Sequence, residues 1–406
     1  MIAQVTPDTI NGRTTDWLLR NIDDVIGGKP ECGPTIADCE TYNKFHRKSG
    51  TDIERGFNIG LLPDWYGDRR FAEQSFTGTN PTMIEKFIEA AKRAGYGYWA
   101  KTLPEVNPAY LFVQDCRYFR KATGVEPDEI FHHKEPMSDD HWACAAVTLY
   151  QLHPDGKLHP IAIVCDYKKT MKDSVTIFNR RHRPFDPSTF EREDWPWRYA
   201  KTCAQVTDWI RHEVGVHLTR AHFIEEAIIV ATHRTIPMDH IVYRILQLHW
   251  ETLVPQVIKD IIGLSMDQTF KYMAYEFENF DYTENYVPND LLRRGFPNTK
   301  EGLTDSRYKN YAYVKNILSI WDVIRRYVKS MLLTYYDEDR ADGLIKKDIH
   351  IQDWCREAQN NGRIKGFSKI KCLDELCDAI TMSIHIAAPF HTTVNYLQNF
   401  YQIGVH

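Results

Sequence analysis

The sequence predicts a mainly α protein: one large helical domain around a long central helix, with a small β-hairpin element. Three observations predict it. Apolar residues recur at helical spacing through most of the chain from Trp197 onward. Residues 223–231 (FIEEAIIVA) are apolar on most sides, as suits a helix buried in a large domain. Strong strand patterning is confined to residues 145–165.

Each element follows in order. Residues 1–60 are rich in Gly, Pro, Asp and Thr without clear periodicity, and read as an irregular N-terminal arm. Residues 81–94 (PTMIEKFIEAAKRA) place apolar side chains at 83, 84, 87, 88 and 91. That is helical spacing, with Asn80 as N-cap and Pro81 at the first helical position. Residues 145–152 and 157–165 are β-prone runs flanking Pro154-Asp155-Gly156, a hairpin signature. A polar, proline-bearing connection over 170–196 leads to the longest helical pattern, 197–235. Further helices are predicted over 238–262, 311–336 and 373–401. The organisation is therefore an arm over 1–60 and a single domain over 61–406.

Composition narrows the function classes. Of the 406 residues, 43% are apolar, 13% aromatic and 26% charged, which is globular and excludes a disordered or collagenous chain. The net charge of −5 gives no basic excess for phosphate, so nucleic acid is excluded as a main partner. No apolar run approaches the roughly 20 residues of a spanning helix. A transmembrane segment is not expected, and membrane contact would be peripheral at most. The nine cysteines are scattered, odd in number and form no CxxC pair. They read as free thiols in a reducing compartment. With no basic and apolar leader at the N-terminus, cytoplasmic placement is the expectation.

The chemistry-bearing residues are histidines. His212-Glu213-Val-Gly-Val-His217-Leu-Thr-Arg-Ala-His222 spaces three of them five apart within the longest helix. The zinc-protease pattern needs a step of four, so HExxxH does not match it. On a regular α-helix five residues point roughly 140° away. Either these imidazoles are separate, or the helix is locally widened into π geometry, which is rare and concentrates at functional sites. Near the C-terminus, His391 and Asn395 stand four apart, on one helix face. Three imidazoles and an amide oxygen, without cysteine, suit iron or manganese better than a structural zinc.

At these residues the sequence resembles the lipoxygenases. That family carries HxxxxHxxxxH on a long central helix and a later HxxxN. Further likeness lies in residues 68–81 (DRRFAEQSFTGTNP), Leu158-His-Pro-Ile-Ala-Ile, residues 194–201 (DWPWRYAK), Thr232-His-Arg-Thr-Ile-Pro, residues 288–295 (PNDLLRRG) and Tyr335-Tyr336. It runs in order from about residue 60 to 402.

The resemblance implies a lipoxygenase-like helical domain whose metal ligands are His217, His222, His391 and, more weakly, Asn395. His212, Glu213 and Gln398 support them, and Ala274 falls where the family has a small residue influencing stereochemistry. It implies an iron or manganese dioxygenase that inserts O2 into a polyunsaturated fatty acid by metal-hydroxide hydrogen abstraction. Another substrate, or an inactive lipid-binding relative, are the alternatives. Two departures are expected: no N-terminal β-barrel domain, and no C-terminal segment after HxxxN, whose terminal carboxylate is a further ligand in the family. Pro389 should kink the helix before His391. His233, His240, His249 and His385 read as satisfied structural side chains.

Overall fold

The computed structural model describes residues 59, 62–94, 107–134, 140–181, 191–250, 264–367 and 369–401. The chain divides into two compact units, Tyr66–Leu397 and a second formed by Met1–Trp65 with Gln398–His406. In the second unit, backbone bonds join Leu62 to Ile59 and Trp65 to Leu62. The predicted arm over 1–60 otherwise lies outside the described residues.

The first unit begins with helix α1 (Asp68–Thr77). Its leading Asp68 is buried and accepts from Trp197 Nε1 at 2.6 Å, Lys201 Nζ at 2.9 Å and Asn179 Nδ2 at 2.8 Å. Burial pushes this carboxyl up, but the Lys201 charge and hydrogen bonding with Glu191, Trp197 and Lys201 outweigh it and bring it to about 2. Asp68 therefore ties the start of the unit to the central helix.

An antiparallel sheet follows, with β1 (Glu85–Lys86), β2 (Leu111–Asp115), β5 (Val147–Leu152), β6 (Leu158–Val164) and β7 (Thr176–Phe178) in the order β1-β2-β5-β6-β7. Helices α2 (Phe87–Ala94) and α3 (Phe119–Thr123) lie in its connections, and β3 (His132–Lys134) pairs with β4 (Asp140–Trp142) separately. The predicted hairpin is β5–β6, closed around Gly156 at φ 78°. It is the centre of a five-stranded sheet rather than an isolated element. Its register shifts opposite Pro160, which has no N–H for the ladder. Alternate residues serve two cores. Phe112, Tyr150, Leu158 and Ile163 face the large helical core; Val113, Leu149, Ala162 and Val164 pack with Phe87 and Ala90 of α2.

The helix predicted over 81–94 is shorter, starting at Phe87. Tertiary partners take its first turn. Asn80 donates to Asp208 Oδ1 at 2.9 Å instead of capping, Lys86 N donates to Arg294 O at 2.9 Å, and Glu85–Lys86 pairs with Phe112–Val113.

The long pattern over 197–235 is one uninterrupted helical rod. It comprises α4 (Trp195–Ile210), a π-helix, π1 (Arg211–Phe223), and α5 (Ile224–Thr235). Asp194 caps it through Trp197 N, Pro196 sits in its first turn, and it ends before Pro237. Residues 223–231 are not buried all round: Ile224, Glu225 and Ile228 point inward, while Glu226 and Val230 are exposed. Then come α6 (Ile241–Leu246), α7 (Met266–Asn279), α8 (Val287–Arg293), α9 (Ala312–Leu332), α10 (Ala341–Lys347) and α11 (Ile349–Asn360). The segment predicted helical over 238–262 is thus only partly seen, since 251–263 lies outside the described residues.

The last predicted helix is divided. Its parts are α12 (Leu373–His385), a second π segment, π2 (Ile386–Phe390), α13 (His391–Asn395) and, in the other unit, α14 (Gln398–Tyr401). Helix α12 packs on α9, α11 on α5, and α7, π2 and α13 on π1. No described helix is long and apolar enough to cross a membrane.

Candidate metal centre

The five-residue histidine spacing converges because π1 is widened. An i→i+5 turn takes about one residue more than the α-helical 3.6, so a step of five returns near the same face. Thr219 Oγ1 marks this geometry by donating to the carbonyl of Val214, five residues back, at 2.6 Å. Gly215 lets α7 lie close. A β-carbon there would meet Tyr272 Oη at 2.6 Å and Glu276 Cγ at 3.1 Å.

The result is a triangle of nitrogens. His217 Nε2 lies 3.2 Å from His391 Nε2 and 3.3 Å from His222 Nε2, and His391 Nε2 lies 3.1 Å from His222 Nε2. Among the described residues, these three form the one group of His, Cys, Asp or Glu ligand atoms close enough to share a metal. Burial lowers His222 to about 4, helped by His217 and His391, and lowers His391 to about 4, helped by His217. Neutral rings offer lone pairs.

Three such nitrogens fit a cation better than one another. Donors at right angles around an ion bonded at about 2.1 Å lie about 3.0 Å apart. Hydrogen bonds cannot satisfy all three edges, because each Nε2 is either a donor or an acceptor. His222 Nδ1, also buried, has no partner among the described residues, so no hydrogen bond there directs its Nε2.

Glu213 and His212 orient the cluster. Glu213 Oε2 lies 3.2 Å from His217 Nδ1, accepts its proton and leaves Nε2 as the lone pair. Its Oε1 lies 3.3 Å from His212 Nδ1, and His212 donates Nε2–H to the Val394 carbonyl at 2.5 Å. Burial pushes the Glu213 carboxyl up, but the bonds from His212 and His217 prevail and hold it at about 2. His212 thereby joins π1 to α13, the helix that carries His391.

Pro389 lies inside π2. The π turn accommodates a ring that an α-helix would not, and Thr393 Oγ1 donates to the Pro389 carbonyl at 2.8 Å. A small buried apolar cluster of Val216, Ala221 and Val394, with Met83 and Phe390 packed against it, adjoins the turns that carry these histidines.

The remaining predicted residues are placed differently. Asn395 ends α13, one turn beyond His391, and is exposed. Gln398 begins α14 in the other unit. Ala274 lies on the exposed face of α7. His233 meets Tyr243 Oη at 3.3 Å and His240 meets Asp348 at 3.1 Å, as structural side chains do. His249 Nε2 and His385 Nδ1, by contrast, are buried with no partner among the described residues.

Sequence reasoning missed a second polar group. Arg220, between two of the histidines, donates to Glu276 Oε2 at 2.8 Å from Nη2 and 3.1 Å from Nε. Tyr118 donates to Glu276 Oε1 at 2.9 Å and lies 3.2 Å from Tyr272 Oη. This group clamps α7 and the residues before α3 onto π1. The available signal was an arginine in an otherwise buried helix, which needs a buried acid somewhere.

Comparison with known proteins supplies the family. The lipoxygenase family model matches residues 132–404. A manganese lipoxygenase of Pleurotus sapidus is 40% identical over 388 residues, 89% of this chain and 59% of the relative. Linoleate 9S-lipoxygenase 1 of Oryza sativa subsp. japonica is 25% identical over 371 residues, 82% of this chain and 42% of the relative. A crystal structure of a fungal lipoxygenase from Fusarium graminearum superposes with a TM-score of 0.78 at 41% identity, covering 91% of this chain and 60% of that one. The chain thus spans about three fifths of the length of the two fungal relatives. With two thirds of its residues matched by one family model and this similarity to fungal members, the chain belongs to the lipoxygenase family.

Proposed function

We propose that this protein is a metal-dependent dioxygenase that inserts O2 into a polyunsaturated fatty acid, of the linoleate type, to give a hydroperoxide. The observation that carries this reading is the Nε2 triangle of His217, His222 and His391, with edges of 3.1–3.3 Å. In it these three are the ligands, and Asn395 supplies an oxygen donor one turn after His391. Both iron and manganese suit the donor set. Manganese is favoured because a relative 40% identical is by name a manganese lipoxygenase. When bound, the ion supplies the one-electron step that starts removal of hydrogen from the pentadiene.

The chain's own residues do the rest. Burial keeps His222 and His391 neutral, so that their nitrogens remain donors at moderately acid pH. Glu213 holds the proton on His217 Nδ1 and so selects the ligating tautomer. Arg220 and Glu276 neutralise each other inside the helical layer, so no uncompensated charge stands beside the ligands. Met83 and Phe390, half-buried over the core of Val216, Ala221 and Val394, supply apolar surface that a hydrocarbon chain would meet.

The test is formation of a conjugated diene from linoleate, followed by ultraviolet absorbance, with product identification by mass spectrometry. Metal-loaded protein should form a hydroperoxide that the His391→Ala variant does not. A metal-loaded protein that consumes no oxygen with linoleate or other pentadiene fatty acids would contradict the proposal.

A further inference from the structure

The arginine between two of the histidines is held from both sides. Arg220 follows His217 and precedes His222 on π1. Its Nη1 lies 3.6 Å from Met83 Sδ, while Nη2 and Nε both donate to Glu276 Oε2, at 2.8 and 3.1 Å. Met83 packs against Val216, Ala221 and Val394. Val216 and Ala221 adjoin His217 and His222 in the chain, and Val394 lies on α13 with His391. The guanidinium thus joins α7 to the packing around all three histidines. Its far anchor is fixed too. The Glu276 side chain is 2% exposed, and its Oε1 accepts from Tyr118 at 2.9 Å.

Such an anchor has a purpose. The π-helix runs for 13 residues, whereas π geometry mostly occurs as single turns within α-helices. Backbone bonds alone do not favour the widened form, so side-chain contacts must hold it. Reversion to α geometry would turn His222 roughly 140° from His217 and open the triangle.

We infer that Arg220 and Glu276 are positioning residues for the metal. Their ion pair holds the turn between His217 and His222 in π geometry, and so sets the affinity and the coordination geometry of the site. This inference rests on the metal-binding reading given above. The pair acts through the histidines and touches neither metal nor substrate.

Removing one partner alone would confound position with charge, because the other charge would be left buried beside a cation site. Arg220→Met/Glu276→Leu removes both charges and fills their space, an exchange that buried ion pairs often tolerate without loss of stability. Arg220→Lys keeps the charge but not the two-pronged grip on Oε2.

The experiment titrates manganese into the metal-free full chain, records the electron paramagnetic resonance spectrum of the bound ion, and follows thermal unfolding without metal. The double variant should unfold close to the parent, yet bind manganese about 10–100-fold more weakly and with an altered spectrum. Arg220→Lys should show a smaller loss in the same direction. A pair with only a structural role would instead lower the unfolding temperature and leave affinity and spectrum unchanged. Parent-like affinity and spectrum in either variant would overturn this inference alone. Failure of the parent to take up manganese or iron would overturn the metal reading, and this inference with it.

Discussion

Replacing Glu225 by Gln should stabilise the protein at neutral and alkaline pH and do little at acid pH. Glu225 is fully buried on α5, where Ser383 Oγ and, at 3.1 Å, Trp250 Nε1 both donate to Oε1. Its Oε2 has no partner among the described residues. Burial pushes this carboxyl up from 4.5 to about 8, outweighing the two donors. The folded protein therefore holds a proton that the unfolded chain releases, and stability falls as pH rises from 4.5 through 8. The shift corresponds to about 5 kcal/mol when fully expressed, of which about 3 kcal/mol develops between about pH 5 and 8. Gln keeps the accepting oxygen and never ionises. Its amide group takes the place of the unpartnered oxygen, which the protonated carboxyl leaves equally unpartnered, so the exchange is nearly neutral at acid pH. Urea unfolding of both proteins at the two pH values should show an advantage for Glu225→Gln that grows by about 3 kcal/mol towards alkaline pH. A difference between the two proteins that is constant with pH would refute the reasoning.

Other outcomes follow from the site. Gly215→Ala should destabilise by about 1–3 kcal/mol through the clash with Tyr272 Oη. Adding Tyr272→Phe should return part of that loss in thermal unfolding. Glu213→Gln keeps an acceptor for His217 but removes the charge, and Glu213→Ala removes both. Metal affinity measured by titration should fall by about 10–100-fold in the alanine variant and by less in the glutamine variant. Because His222 and His391 are lowered to about 4, protons should compete for them well below the ordinary histidine value of 6.5. Apparent metal affinity should accordingly fall by no more than about tenfold per unit between pH 6.5 and 4.5, and a steeper fall there would contradict the burial argument.

Much of this architecture can be read from the chain, because the long helices carry their own periodicity and caps. Asp194, Pro196 and Pro237 bracket the central rod in sequence as they do in space. The histidine spacing posed a choice between divergence and π geometry, and the convergence of Nε2 atoms resolves it. Local pattern fails where partners are distant. Residues 81–86 carry helical spacing, yet Arg294 and Phe112–Val113 supply better partners for their backbone. Strand β2 (LFVQD) is buried on nearly every position and shows no alternation to read. Arg220 gives no sign in sequence that Glu276, 56 residues away, will neutralise it. The exposure of Asn395 and Ala274 likewise depends on packing that no spacing encodes.

The central claim is that His217, His222 and His391 together hold one redox-active metal ion. Plasma mass spectrometry of the purified chain, alongside His217→Ala, His391→Ala and His249→Ala, tests it most directly. The account predicts near-stoichiometric manganese or iron in the parent protein and in His249→Ala, and almost none in the other two. Equal metal content in all four proteins, or no transition metal in the parent after exposure to either ion, would contradict it.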